Sequence, residues 1–358
     1  MMTKKYEFFL GANSAKGFYS LYDQLGDAEH TYDFIVLKGG PGVGKSTFMK
    51  YIGRRAEEKG LEVEYIRCSG DPRSLDAVVL PQLHTAVADG TAPHVIEPKY
   101  PAAVDRYVNL GCFYDVDRLK ERRREVIACT DGYQAEYAKA YPCLRACRAV
   151  RQTMEESVAP LADREKLRRR LKNIWFRERK RKKERETGAE RLRFLGGLTP
   201  MGRVWCGASV ETLCRRVYEL QDAYHLGAPA LAELRSMILR DGYDTITCLD
   251  PDCPERIVQL LVPELEVGFV TTDRTFALRE KPWRRLHVDQ MVDREQYALL
   301  RGSLHLKKRL ANALETEGAE HLRLAGEKHD ELELIYRPFV DFDGVMAVAE
   351  AESRRIFA

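Results

Sequence analysis

Several features are missing from this 358-residue chain, and each absence closes off a class of protein. No stretch approaches the ~20 consecutive apolar residues that a membrane-spanning helix needs. The opening "MMTKKYEFFLG" lacks the apolar core and small-residue cleavage site of a signal peptide, so a cytoplasmic protein is expected. Nine cysteines form no C-x-x-C pair, and so sparse and odd a set does not build a disulfide scaffold. Cys143 and Cys147 share i, i+4 spacing, but no second pair of ligands accompanies them. Reduced core cysteines are therefore expected in place of a zinc site. The chain also lacks the guanine-reading N-K-x-D pattern.

What is present describes a globular protein with much charged helix surface: 44% of residues are hydrophobic and 32% charged. The length suffices for two domains, each with a core of its own. A net charge of +3 conceals an asymmetry. Residues 164–193 hold 15 Lys or Arg against 5 Glu, so the rest of the chain is net acidic.

One stretch carries explicit chemistry. Gly39-Gly40-Pro41-Gly42-Val43-Gly44-Lys45-Ser46 satisfies G-x-x-x-x-G-K-[ST]. Phe34 to Leu37, just before it, is an apolar run suited to a strand buried on both faces. Phe48, Met49 and Ile52, just after it, recur at helical spacing, and Gly60 marks the helix end. Glycines allow φ > 0, so the backbone can curl its N–H groups around phosphate oxygens, and the helix start adds further donors. In this pattern Lys45 reaches the β and γ phosphates, Ser46 offers a hydroxyl to Mg²⁺, and Thr47 faces the α phosphate. A nucleotide site over Gly39 to Thr47 is the expectation.

Around it lie candidates for the remaining roles. Asp89 ends the apolar run "TAVA", the place from which an acidic residue helps organise the metal. Asp71 and Asp76, in "CSGDPRSLDAV", follow the second strand "LEVEYIRC" and could approach the γ phosphate or an activated water. Turn and cap roles fit both equally well. His94 is a candidate for orienting an acceptor. Strand, helix and strand at this spacing predict a parallel α/β sheet. From Asp115 to Glu186 the sequence becomes long, charged and helix-favouring, with Pro142 and Pro160 expected to divide it.

The chain also repeats itself. "FLGANSAKG" (9–17) matches "FLGGLTPMG" (194–202). "GLEVEYIRCSGDPRSLDAVVLPQL" (60–83) lies without a gap over "GYDTITCLDPDCPERIVQLLVPEL" (242–265), and "FYDVD" (113–117) resembles "FVDFD" (339–343). The expected organisation is a nucleotide-binding first copy (1–112), a helical arm (113–193) and a degenerate second copy (194–358). Setting Pro41 on Pro229 puts Lys45 on Glu233 and Ser46 on Leu234, so the second copy is expected to have lost triphosphate binding. The same frame sets Thr271 opposite Asp89.

Together, "FFLGANSAKGFYSLYD", "VLKGGPGVGKSTFMKYIG", "CSGDPRSLDAVVLPQL" and "VADGTAPHVIEPKYPAAVDRYVNLG" resemble a poorly characterised bacterial family, known chiefly from Firmicutes, of tandem P-loop ATPase-like proteins. The resemblance implies two P-loop NTPase-like domains, each with a helical extension, and ATP with Mg²⁺ as the ligands of Gly39 to Thr47, Ser46 and Asp89. "GAPALAEL" departs from the second loop such a family leads one to expect. Three uses of the nucleotide stay open: an ATPase or ATP-driven switch, a small-molecule kinase, and an ATP-regulated nucleic-acid binder. For the last, "RRRLKNIWFRERKRKK" could track phosphates, with Trp175 and Phe176 among its charges. A solvated arm docked on the acidic remainder, or contact with an anionic membrane surface, reads the same residues differently.

Overall fold

The structure is a computed structural model and describes residues 4–25, 31–92, 95–180, 186–273 and 275–358. Its first half runs β1 (Lys5–Phe9), a small hairpin of β2 (Gly11–Ser14) and β3 (Gly17–Ser20), then β4 (Asp33–Lys38) and α1 (Lys45–Glu58). It continues with β5 (Val63–Arg67), β6 (Leu75–Leu80), β7 (Thr85–Asp89) and β8 (Asp105–Asn109), and ends in α2 (Val116–Glu121), α3 (Arg123–Val158) and α4 (Arg164–Glu178). The second half repeats this plan. It comprises β9 (Glu190–Arg193), the hairpin β10 (Gly196–Thr199) and β11 (Gly202–Trp205), α5 (Gly207–Leu213), β12 (Arg216–Gln221) and α6 (Ala228–Arg240). After them come β13 (Thr245–Asp250), β14 (Cys253–Val262), β15 (Val267–Thr272), β16 (Arg284–His287), α7 (Arg294–Tyr336) and α8 (Phe342–Ile356).

Two six-stranded sheets result, ordered β1-β5-β6-β7-β4-β8 and β9-β13-β14-β15-β12-β16. The orders correspond strand for strand. Neither sheet is wholly parallel, as the spacing of strand and helix had led one to expect: β6 is antiparallel to β5 and β7, and β14 to β13 and β15. The cause is the length of the connections. A parallel pair needs a crossover of a dozen or more residues, and β6 and β14 are entered and left through short turns. Both halves bulge at the same place, after Ile66 in one and after Cys248 in the other.

Burial follows from the strand pattern. Ile35 and Leu37 of β4 face α1, where Phe48, Met49, Ile52 and Ala56 form one buried stripe. Phe34 and Val36 point the other way, into a core continuous with Phe194, Leu220 and Phe269 of the second half. The two halves therefore share an interior. A buried ion pair crosses between them, Arg193 donating to Glu64 with Nη2 3.1 Å from Oε2.

Phe9 and Phe194 exchange backbone hydrogen bonds of 2.9 Å, marking a pseudo-two-fold axis. About it the last helices are exchanged: α4 packs on α6 of the second half and α8 on α1 of the first, while α3 and α7 run together. Asp115, Asp163, Asp293 and Asp341 each accept a backbone N–H as the N-cap of α2, α4, α7 and α8. This arrangement corrects one match in the repeat. Element order makes 113–117 the counterpart of 291–295, whereas Tyr114 and Val340 are partners, joined by an antiparallel bridge that Ala162 and Val292 reproduce. "FYDVD" and "FVDFD" touch each other; they are not equivalent positions.

Pro142 does not divide the helical arm. It lies inside α3, whose length packs on α7, and that packing outweighs the one hydrogen bond the proline removes. Pro160 does separate α3 from α4. Among the described residues no helix is long and apolar enough to cross a membrane.

Candidate functional site

The segment 39–44 leaves the end of β4 and enters α1 at the edge where the parallel strands of the first sheet finish. Gly42 (φ 70) and Gly44 (φ 96) are left-handed, which side chains resist. At Gly42 a Cβ would also come within 3.2 Å of the Glu333 carbonyl oxygen. Val43 is buried and anchors the loop in the core beside α1. The first turn of α1 leaves N–H groups without intrahelical acceptors, directed at the space over the loop.

Lys45 folds back over this loop. Its Nζ donates to the carbonyls of Gly39 (2.5 Å) and Gly40 (2.9 Å) and lies 3.4 Å from Asp89 Oδ2. Asp89 ends β7, next to β4 in the sheet, and its Oδ1 accepts from Thr91 N at 2.9 Å. The Ser46 hydroxyl oxygen accepts from Leu75 N at 3.0 Å, which leaves its own proton available, and Thr47 is exposed. Lysine, hydroxyl and carboxylate are thus gathered around one loop, although Asp89 is 44 residues from Lys45 in the chain.

The other acidic candidates are differently placed. Asp71 belongs to the turn after β5, where Arg73 Nε (2.7 Å) and Ser74 Oγ (2.9 Å) donate to it. Burial alone would raise its carboxyl; the hydrogen bonds from Arg73 and Ser74 outweigh that and hold it below the usual aspartate range. Asp76 is buried on β6 and accepts the Tyr22 hydroxyl. Burial first, and Asp76 second, push the Tyr22 hydroxyl and the nearby Cys68 thiol well up. His94 lies outside the described residues.

Four contributors to the site were not legible in the sequence. Tyr114 Oη donates to the Pro41 carbonyl at 2.8 Å and packs on Tyr336, ring centroids 5.3 Å apart. Glu333 and Tyr336, at the end of α7, close over Gly42. Arg73 reaches Asp330 of the same helix as well as Asp71, tying α7 to the turn after β5. The second half thus supplies a wall of the first half's site through a helix whose pattern announces only an amphipathic face.

The matching loop of the second half lies at 222–227, five residues earlier than the Pro41–Pro229 alignment puts it. Pro229 is inside α6, Leu234 is core, and Glu233 is on the outer face, 2.6 Å from Arg168 Nε. The alignment failed because it followed a proline, whereas the fold follows the end of the strand. Helix α6 opens on Ala228-Pro229 where α1 opens on Lys45-Ser46. Within the loop, Asp222 occupies the position of Gly39, and its carboxylate accepts from the amides of Leu226 (2.8 Å) and Gly227 (2.6 Å). The second loop fills its amides with its own carboxyl group, which burial pushes above the usual aspartate range. Thr271 is at the position of Asp89, as the ungapped alignment has it.

Of the basic segment, α4 buries Leu167, Leu171, Ile174 and Trp175 in the shared core and exposes Arg168, Arg169, Arg170 and Lys172. Residues 181–185 of the segment lie outside the described residues. No family model, no curated protein and no solved structure matches the chain.

Proposed function

We propose that the first half binds ATP with Mg²⁺ through Gly39 to Thr47 and hydrolyses it, or uses it as a switch, while the second half binds no triphosphate. The observation that carries this reading is the convergence of Lys45, Ser46 and Asp89 on a loop that already holds two left-handed glycines. Lys45 now bonds two loop carbonyls, and a phosphate placed over the loop would compete for the same ammonium. The loop amides and the start of α1 give that phosphate its oriented dipoles.

Ser46 Oγ and the Asp89 carboxylate are hard oxygen donors of the kind Mg²⁺ takes, so the residues fit the ion. Bound there, held by Ser46 and Asp89, Mg²⁺ would offset negative charge developing on the phosphates. Asp89 holds Lys45 in place before nucleotide arrives. Asp71 and Asp76 are the candidates for positioning water. Asp71 is the more exposed of the two but is held by Arg73 and Ser74, and Asp76 is committed to Tyr22. Tyr114 and the end of α7 shield the loop from solvent and give the second half a means of responding to its occupancy. The preference for adenine rests on the family resemblance and on the missing N-K-x-D pattern.

One observation favours a second reading, ATP-regulated nucleic-acid binding. The exposed face of α4 is basic and carries Phe176, although Lys172 and Arg179 of the same segment already lie over that ring. Transfer of the γ phosphoryl to a small molecule has no such support. The test of the main reading is ADP release from Mg-ATP by the full chain, with Lys45→Ala as the blank. Turnover that vanishes in the variant is expected. Turnover that survives in Lys45→Ala, or a failure of the intact chain to bind Mg-ATP at all, overturns it. Nucleic-acid binding that falls steeply with salt would support the second reading.

A further inference from the structure

The counterpart of the glycine-rich loop opens onto a cavity of about 160 Å³ at the ends of β12, β13 and β15, closed by α3 and α7. One water needs only roughly 10–15 Å³ by this kind of measure, so the space takes something much larger. Three of its lining residues carry a buried polar atom that has no hydrogen-bond partner among the described residues: Trp205 Nε1, His225 Nδ1 and Gln259 Oε1. Buried polar groups are normally satisfied, and Gln259 is 2% exposed.

These atoms are not inherited from the shared plan. Strand register sets Trp205 opposite Gly196 as Ser20 is opposite Gly11, and Gln259 opposite Cys248 as Ala77 is opposite Ile66. His225 (φ 52) keeps the left-handed backbone of Gly42. Where the first half has serine, alanine and glycine, the second has a donor, an acceptor with an adjoining donor, and an imidazole that serves as either. All three residues line one cavity. Trp205 is stacked on Phe276, centroids 4.7 Å apart, and the pair makes one side of the lining aromatic.

The charges around it narrow the choice of occupant. Arg148 and Arg256 both grip Glu155, and Arg151 and Arg203 share Asp252 and Glu315. The guanidinium groups are therefore already neutralised, and the loop amides are taken by Asp222. Nothing here calls for a phosphate. We propose that this cavity binds an uncharged nucleobase or nucleoside, its base packed against the Trp205–Phe276 pair and read at its edge by Gln259, His225 and the Trp205 N–H. The site is separate from the glycine-rich loop and does not depend on ATP binding there.

The experiment is titration of the full chain, by calorimetry and tryptophan fluorescence, with adenosine, guanosine, cytidine and uridine, none of which carries a phosphate for the loop of the first half. Saturable one-to-one binding of at least one of them is expected. It should weaken by about tenfold in Gln259→Leu, which removes one directional contact, and stay unchanged in Lys45→Ala. If Gln259→Leu does not fold, Trp205→Phe removes the N–H while keeping a ring, and the same weakening is expected. Three results overturn the proposal: no saturable binding of any of the four nucleosides, binding indifferent to both cavity variants, or binding lost in Lys45→Ala. The first means that the cavity holds only water.

Discussion

The loops at 39–44 and 222–227 leave equivalent strands, enter equivalent helices and share a left-handed residue at their midpoint, Gly42 in one and His225 in the other. They differ in where the carboxyl group comes from. In the first, amides and Lys45 are disposed around a space, and the Asp89 carboxylate is drawn to the lysine. In the second, Asp222 supplies a carboxyl group from within the loop, no lysine follows, and three residues with a polar atom unpartnered among the described residues line the space beyond. A loop's backbone path is set by the strand and helix it joins, while its ligand preference is set by a few side chains. The path survives changes that the preference does not.

The largest effect expected is at Lys45. Lys45→Ala should abolish measurable Mg-ATP binding in calorimetry while leaving the melting temperature close to that of the unaltered chain, because among the described residues the ammonium bonds loop carbonyls and Asp89 alone. Binding that persists would break the contrast between the loops.

Next comes Glu64, which is fully buried between the halves. Burial alone would raise its carboxyl, but Arg193 and then Arg191 outweigh this and hold it below the usual range. Glu64→Ala leaves Arg193 buried without its partner and should cost about 3–5 kcal/mol in denaturant unfolding. The folded pKa is below the unfolded one, so the pair's stabilisation is complete above the unfolded value of about 4.3. It is lost as the pH falls through the folded value. Melting temperature should therefore drop below about pH 4 in the parent, with less of that dependence in Glu64→Gln.

The exchanged helices come third. At matching positions α4 buries Leu167, Leu171 and Trp175, and α8 buries Val345, Ala349 and Ser353. Leu171→Ala should destabilise by about 2–5 kcal/mol. At α8 the apolar contact is smaller and ion pairs accompany it, with Arg106 bonded to Glu352 and Arg355 to Asp33. Arg355→Ala, removing a half-exposed partner, should cost under about 1 kcal/mol in the same assay. Equal losses would mean that the two exchanges are energetically alike.

The smallest effect is at Glu233, set against Lys45 by sequence alignment alone. It is an exposed residue paired with exposed Arg168. Glu233→Ala should leave Mg-ATP binding unchanged and shift stability by less than about 1 kcal/mol. A loss of binding without unfolding would restore the discarded alignment.

Much of the first loop was legible because its signals are local: a buried run, glycines at fixed spacing and a helical stripe occupy adjacent residues. The repeat was legible for the same reason, and its gapless middle match holds in space, with Gly60 and Gly242 both left-handed and Pro81 and Pro263 each opening a turn. The second loop was misplaced because it had lost the glycines and lysine that mark the first. "FYDVD" was matched to the wrong partner because four helix starts share an aspartate cap, and sequence cannot tell a counterpart from a contact.

The sequence by itself determined the strand, loop and helix around Lys45, the doubled plan and the apolar stripe of α4, since each depends on interactions within a few residues. Only the tertiary structure decided that α4 and α8 would change places, that β6 and β14 would run against their neighbours and that the end of α7 would cover Gly42. It alone brought Trp205, His225 and Gln259 to one cavity. These outcomes depend on which distant surfaces bury the most apolar area together, a sum over the whole chain that no local window contains.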